Sequence, residues 1–383
     1  MHRSFDIMVA GLGANGSSAL YHLSKTQKKI IGIDRFHPPH NHGSSHGESR
    51  IIRQAYYEDP QYVPLLKVAG RLWAEIEKAS GKTLFRRTGG LMLGNKNAAV
   101  IKGSLLSAET HGIPYEYLDA AALQKRFPAF RPIPGTVGVL EKEAGILFPE
   151  DCISTFLESA VKAGAVIHYN ETILDIRPGA DKIEVVTTTG KYIVEKLILS
   201  AGAWTNQLLP GPPLPLTIAR QALHWFTDSS AKTPTRFLPG HMPIYIWEYA
   251  QDKMFYGFPD LGTGIKIAWH HQGHPIEPDQ LTQEVSPEEI KKITDATAKY
   301  LDIDPIYNRS AVCMYTNTPD GHFIIDFHPE YRNIIVASPC SGHGFKFSSL
   351  TGKILSDMAT DKNPGFDLSF FSISRPSITY SSQ

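Results

Sequence analysis

The sequence predicts an α/β fold in two parts, one built on a parallel sheet and the other an α+β unit carrying an antiparallel sheet. Three observations predict it. The chain opens on a short apolar run, Asp6-Ile7-Met8-Val9-Ala10, a glycine-rich break, Gly11-Leu12-Gly13-Ala14-Asn15-Gly16, a helical stretch from Ser17 to Leu23 and a second apolar run, Lys29-Ile30-Ile31-Gly32-Ile33, ending at Asp34. Strand, turn, helix and strand within about thirty residues make a βαβ unit of Rossmann type. Aromatic-rich segments at Ala222 to Phe226, Pro243 to Trp247, Met254 to Phe258 and Gly264 to Trp269 follow one another at near-regular spacing, as in an antiparallel sheet. The length, 383 residues, allows two or three folding units at roughly 150 residues each.

The remaining elements follow from local patterns. His37 to His46, rich in Pro, His, Gly and Ser, can only be a loop. From Tyr62 to Ala79, Leu65, Leu66, Ala69, Leu72, Trp73 and Ile76 recur at helical spacing and define one buried face. Leu91-Met92-Leu93 reads as a strand, Ala98 to Thr110 and Asp119 to Phe127 as helices, with Asp119 an N-cap. Pro128 to Pro134 marks a crossing, Glu150 to Ala163 is helical, and three short strands follow with a hairpin turn at Thr188-Thr189-Gly190. Leu197 to Ser200 is a buried strand running into Ala201-Gly202-Ala203-Trp204, and four prolines between Pro210 and Pro215 suggest a domain boundary. Ser286-Pro287-Glu288-Glu289 combines an N-cap serine, a first-turn proline and a glutamate three residues after the cap, so a helix should run to about Leu301. Asn333 to Ala337 is a strand, Ser338 to Gly344 a turn of small residues and Phe345 to Thr360 a helix; no internal repeat is present.

Lys plus Arg and Asp plus Glu each number 38, which leaves no net positive field for a nucleic-acid backbone. Apolar residues make up 42% and charged residues 20%, and no stretch approaches the ~18 consecutive apolar residues of a membrane span. Cys152, Cys313 and Cys340 have neither the density nor the spacing of a disulfide framework, so the chain is expected to be cytoplasmic. Met1 to Leu23 resembles a secretory signal in its basic start, but Asp6 interrupts the apolar run and no cleavage site follows.

Chemistry concentrates in a few places. Gly11-x-Gly13-x-x-Gly16 between strand and helix presents backbone N–H groups and a helix N-terminus to a pyrophosphate, and Asp34, at the end of the second strand, is placed to accept hydrogen bonds from a ribose. The acid disfavours NADP and leaves NAD and FAD open. His37, His40, His42 and His46 lack the spacing and partners of a metal centre and read as a loop that folds over a cofactor, with some of the histidines simply solvated; the same argument against a metal applies to His270, His271 and His274, and no metal is expected. Arg50 and Arg53 lie among apolar neighbours and need anionic partners, either a ligand or internal salt bridges. Ser341-Gly342-His343-Gly344-Phe345-Lys346 is a second anion-friendly turn.

Taken together, these residues resemble the family of monomeric sarcosine oxidase and N-methyltryptophan oxidase, flavin-dependent amine oxidases. The likeness runs over nearly the whole chain and includes the glycine loop, Pro38-Pro39-His40, Arg50-Ile51-Ile52-Arg53, Tyr62-Val63-Pro64, Tyr256-Gly257-Phe258-Pro259, Lys266, Ala311-Val312-Cys313-Met314-Tyr315-Thr316, Phe323-Ile324-Ile325-Asp326 and Ser341 to Ser349. The resemblance implies FAD held by Gly11, Gly13, Gly16, Asp34, Ser49, Arg50, the Ala201 to Trp204 turn, Gly342, Gly344 and Lys346, with a thioether from Cys313 to the flavin. It implies that Arg53 and Lys346 bind the substrate carboxylate, that Tyr256 and His270 lie beside the amine, and that Arg50 and Lys266 flank opposite faces of the flavin ring, Lys266 serving O2. Two features depart from the family: Ser45 stands where histidine is common, and Cys340 where a non-cysteine residue is usual, with packing its expected role and reaction at, or crowding of, the nearby flavin site the alternative. Tyr245-Ile246-Trp247 looks bulkier than the family's pocket-lining strand, which argues for secondary amino acids larger than sarcosine.

The fold expected on this basis is a Rossmann-like FAD-binding domain from residues 1–85, 145–215 and 315–383 and an α+β substrate domain from 86–144 and 216–314, in a monomer. The activity implied is oxidation of a secondary amino acid to an imine, with O2 reduced to H2O2. The rivals are an NAD-linked amine dehydrogenase, an FAD-dependent dehydrogenase using another acceptor and a non-catalytic flavoprotein.

Overall fold

The computed structural model describes residues 3–230 and 234–378; the outermost residues of the 1–85 and 315–383 segments, and the first two of the opening run, lie outside the described residues. The glycine-interrupted opening folds as expected, with strands Arg3–Ala10 and Ile30–Ile33 joined by helix Ala14–Leu23. Those strands are the middle of an eight-stranded sheet whose parallel centre runs Val166–His168, Ile30–Ile33, Arg3–Ala10, Gly190–Leu199 and Ile334–Ser338. Strand Gly190–Leu199 fuses the last short strand and the buried Leu197 strand of the sequence reading into one. One of its edges is shared: the first half pairs antiparallel with Ile183–Thr187 and the second half parallel with Ile334–Ser338.

Parallel strands buried on both faces read as continuous apolar runs, which is why these were legible. Met8, Ile31, Leu197 and Val336 pack on one face; Ile7, Val9, Ile198 and Ile335 meet Leu20, Leu157, Ile354 and Leu355 from helices Ala14–Leu23, Pro149–Lys162 and Ser348–Ala359 on the other. Helix Val63–Ser80 buries Leu66, Ala69, Trp73 and Ile76 as its periodicity predicts.

A second eight-stranded sheet runs Pro305–Asn317, Thr217–Asp228, Ile265–His270, Lys253–Phe258, Ile244–Ala250, Gly90–Asn95, Thr136–Glu141 and Glu116–Asp119. All its pairings are antiparallel except that of Ile244–Ala250 with Gly90–Asn95. Both capping signals hold: Asp119 Oδ1 accepts Ala122 N–H at 2.8 Å ahead of helix Ala120–Arg126, and Ser286 and Glu289 exchange both capping-box bonds ahead of helix Pro287–Tyr300. A third, three-stranded sheet joins Arg50–Ile52 to Gly145–Leu147 and Phe85–Arg87. Arg50 begins its first strand and Arg53 follows directly after it. No helix among the described residues is long and apolar enough to cross a membrane.

Candidate active site

Two cavities share Ala14, Asn15, Ser44, Ser45 and Cys340 as lining, and one of them is also bounded by Ile246, Tyr256, His270 and Cys313 of the second sheet. One follows the glycine loop and is also lined by Gly11, Gly13, Asp34, His40, Ala201 and Trp204. The other holds Arg50, Arg53, Glu58, Tyr256, His270, Cys313, Gly342, Gly344 and Lys346.

The glycines divide by what they face. A Cβ on Gly11, whose φ is +88°, would lie 2.7 Å from the Ser200 carbonyl oxygen, and one on Gly16 would lie 1.8 Å from the Gly11 oxygen, so the turn itself requires both. A Cβ on Gly13 would meet only Ser45 Oγ, at 3.7 Å, and otherwise fill the cavity. Gly13 also caps helix Ala14–Leu23 with no side chain, which leaves that N-terminus to a ligand anion. Asp34 is buried, and its oxygens accept Leu12 N–H at 2.7 Å and Phe36 N–H at 2.8 Å. Burial nonetheless raises its carboxyl above the ordinary value, so a further hydroxyl donor would be welcome there. Asn15 Oδ1, buried without a partner, lines both cavities. These features fit a dinucleotide bearing a pyrophosphate and a ribose. Trp204 borders the same cavity and donates its indole N–H to Asp279 Oδ1 at 2.9 Å.

The loop before Arg50 wraps the guanidinium: Nη1 donates to Ser49 O at 2.8 Å and Nη2 to Ser44 O at 2.7 Å and His46 O. Lys266 reaches the same acceptor from the second sheet, with Nζ 2.8 Å from both Ser49 O and Gly47 O, while its ammonium lies 4.1 Å from the centre of the Phe258 ring. Arg50 and Lys266 therefore converge on the Ser49 carbonyl, and Lys266 sits behind the cavity wall rather than on it. Burial first, then Arg50, pushes the Lys266 ammonium well below its ordinary value. Cys313, in the centre of strand Pro305–Asn317, is buried beside this pair, and burial raises its thiol against the pull of Arg50 and Lys266.

Arg53 is 2% exposed and already holds a carboxylate. Its Nη2 lies 2.7 and 2.5 Å from the two oxygens of Glu58, and Nη1 donates to Ala55 O at 3.0 Å. Internal pairing, one of the alternatives the sequence left open, is thus realised within the cavity. Burial alone would raise the Glu58 carboxyl; Arg53, then His343 and Lys346, hold it below its ordinary value. Lys346 Nζ donates to His343 O at 2.6 Å and approaches Tyr56 OH at 3.5 Å. Tyr56 OH in turn lies 2.5 Å from His343 Nδ1, whose ring bonds Gly321 O through Nε2 at 2.9 Å, so Tyr56 is the donor in that pair. Burial, with Arg53 adding, brings Lys346 down to about 7. His270 is held neutral by burial, its Nδ1 3.4 Å from Tyr315 OH, and burial pushes Tyr256 up to about 12.

One expectation is corrected. Tyr245 and Trp247 do not line the cavity: successive residues of a strand face opposite sides, and in Ile244–Ala250 only Ile246 faces the site. Tyr245 and Trp247 instead pack with Phe130, Phe255 and Tyr300 in the core, so their bulk says nothing of substrate size. Cys340 borders both cavities where they join, which leaves both its packing role and the crowding alternative in place; burial raises its thiol to about 11. Glu58, Tyr56 and His343 were missed. The available signal was an acid five residues after Arg53 within the aromatic Tyr56-Tyr57-Glu58 segment, which is short enough to fold back on the guanidinium.

The chain matches the family model described as FAD dependent oxidoreductase over residues 6–358. It is 38% identical to a monomeric sarcosine oxidase of Streptomyces avermitilis over 364 residues, 94% of each chain. It is 36% identical to a monomeric sarcosine oxidase of a Bacillus species over 391 residues, covering 100% of this chain and 99% of the other. An N-methyl-L-tryptophan oxidase of Salmonella agona is 33% identical over 382 residues, covering 97% of this chain and 99% of its own. The amino acid oxidase NikD superposes with a TM-score of 0.85 at 22% identity over 97% of each chain, and glycine oxidase from Geobacillus kaustophilus with 0.81 at 19% identity over 97% of this chain and 99% of that one, which shows a common fold. The fold, the glycine-loop cavity and these full-length likenesses agree: the chain belongs to the FAD-dependent oxidoreductases, within the family of monomeric sarcosine oxidases and N-methyl-L-tryptophan oxidases.

Proposed function

We propose that the protein is a monomeric, cytoplasmic oxidase of secondary α-amino acids, N-methyl or cyclic, converting the amine to an imine that water hydrolyses while O2 becomes H2O2. FAD, when bound, supplies the two-electron redox chemistry. The observation that carries the reading is the pairing of Arg53 with a carboxylate inside the cavity that also holds Lys346, Tyr256, His270 and Cys313. A substrate carboxylate would take the place of Glu58 on the arginine fork, assisted by Lys346, and so direct the amine toward the Tyr256 and His270 side. His270, neutral, is fit to accept a hydrogen bond from the amine, and the buried surroundings keep water out. Segments 1–85, 145–215 and 315–383 are proposed as the FAD-binding domain and 86–144 and 216–314 as the substrate domain, in line with how the two large sheets draw their strands. The free state of all three cysteines suits a reducing compartment.

The test is peroxide release from sarcosine, N-methyl aromatic amino acids, proline and pipecolate. Dye reduction without peroxide would make the protein a dehydrogenase, and inertness toward the whole panel would overturn the reading.

FAD is proposed to be covalently held by Cys313, which lies in the cavity while Cys152 is sealed in the core. Acid-precipitated protein should stay yellow, and Cys313→Ser should release the colour to the supernatant. Retention of colour by the variant would exclude Cys313 as the attachment point.

The depressed Lys346 adds a pH dependence. Unfolded, the group titrates near 10.5, and folded near 7, so the folded chain binds fewer protons between those values and the group's contribution to stability rises with pH across that window. Carboxylate binding needs the charged form and runs the other way. Affinity for propionate, which has no amine to titrate, should weaken as pH rises above about 7, and Lys346→Met should flatten that profile. A profile unchanged by the substitution would remove Lys346 from the carboxylate site.

A further inference from the structure

Strand Thr136–Glu141 of the second sheet ends on a carboxylate that is only 4% exposed. Its oxygens face main chain: both lie 2.9 Å from Gln54 N, and Oε2 accepts Ala55 N–H at 2.8 Å. The carbonyl of that same Ala55 receives Arg53 Nη1. A chain of contacts therefore runs from Glu141 through the Gln54–Ala55 backbone to the guanidinium that holds Glu58. Burying a carboxylate is costly unless it is hydrogen-bonded and near a cation, and here three N–H···O contacts and the field of Arg53 offset part of the cost, burial still holding the carboxyl above its ordinary value.

The neighbouring residues are gripped from the same side. Ser107 Oγ donates to Tyr56 O, and Gly103 lies so close to the following residue that a Cβ there would be 2.2 Å from Tyr57 O. Both belong to helix Ala99–His111, which packs with strand Gly90–Asn95 in the second sheet's layer. The 53–58 segment is therefore held by elements outside the cavity, and Glu141 is the charged group that bonds its main chain there.

We propose that Glu141 is a positioning residue for carboxylate recognition: it fixes the Gln54–Ala55 turn, and through Ala55 O the Arg53 fork, without touching the substrate. The inference rests on the reading of Arg53 as the carboxylate binder. An amide at position 141 retains one acceptor but turns an N–H group toward main-chain donors, so the turn should shift and the fork lose its aim.

The experiment compares Glu141→Gln with the native enzyme on a secondary amino acid and on the matching N-methylamine lacking the carboxylate. Flavin content and thermal midpoint are followed alongside. KM for the acid should rise about tenfold or more, with kcat changed much less and amine turnover unaltered, so the preference for acid over amine collapses. Glu141→Asp, which keeps the charge but withdraws it by one methylene, should give a smaller rise of the same kind and serves if the glutamine variant yields no flavoprotein. An unchanged acid KM, or equal loss for acid and amine, overturns the proposal. Arg53→Ala, run in parallel, separates the two failures. If it leaves the acid preference intact, the reading of Arg53 fails; if it abolishes the preference and the Glu141 variants do not, only the positioning role fails.

Discussion

Replacing Lys266 by Met is expected to slow reoxidation of the reduced enzyme by O2 about 10²- to 10³-fold, the loss typical of removing one preorganised electrostatic donor. Anaerobic reduction by substrate should change much less. The reason lies in where the ammonium is held: two of its three donors are fixed on Gly47 O and Ser49 O, it stacks over Phe258, and it is buried next to Cys313 and Arg50. In such surroundings a charge acts on developing negative charge at oxygen far more strongly than it would in water. Because burial lowers its pKa, the assistance should fade with rising pH at a value below that of an ordinary lysine. Stopped-flow traces of the two half-reactions give the answer, and equal damage to both would mean that the lysine supports the Gly47–Ser49 loop rather than serving oxygen.

What the sequence disclosed was largely what local chemistry determines. Gly11 is dictated by its positive φ and Gly16 by a turn whose own backbone leaves no room for a Cβ, and the Ser286 capping box is complete within four residues. Strands buried on both faces, such as Ile30–Ile33, announce themselves by unbroken apolar runs. Strand Ile244–Ala250 shows the limit of that signal, since an apolar run does not say which parity faces a cavity, and the bulk of Tyr245 and Trp247 was credited to the wrong side. Strand Thr136–Glu141 went unread because Gly138 interrupts its pattern; a Cβ there would sit 2.9 Å from a Leu123 methyl and 3.0 Å from a Leu91 methyl, so the glycine lets those side chains close over the strand. Pairings across long stretches of chain, such as Glu141 on Ala55 or Lys266 on Gly47, have no local signature and emerge only from the docking of one sheet on the other.

Arg53→Ala should raise the apparent KM for the amino acid about ten- to a hundredfold, since charge-assisted hydrogen bonds are worth roughly 1.5–3 kcal/mol each. It should also destabilise the fold, because removing one partner of a buried ion pair leaves the other uncompensated at a cost of about 3–5 kcal/mol. Here the lower end is expected: Glu58 keeps Lys346 nearby and its side chain is 17% exposed. The two effects can be told apart through Glu58, which shares the Arg53 fork with any incoming carboxylate. In the double variant Arg53→Ala with Glu58→Gln, the stranded charge is gone, so thermal stability should recover while affinity for the acid does not. Glu58→Gln alone removes a competitor for the guanidinium and should lower KM for the acid. If it raises KM as far as Arg53→Ala does, Glu58 is a working part of the substrate site, and the fork does not have to be vacated before the amino acid binds.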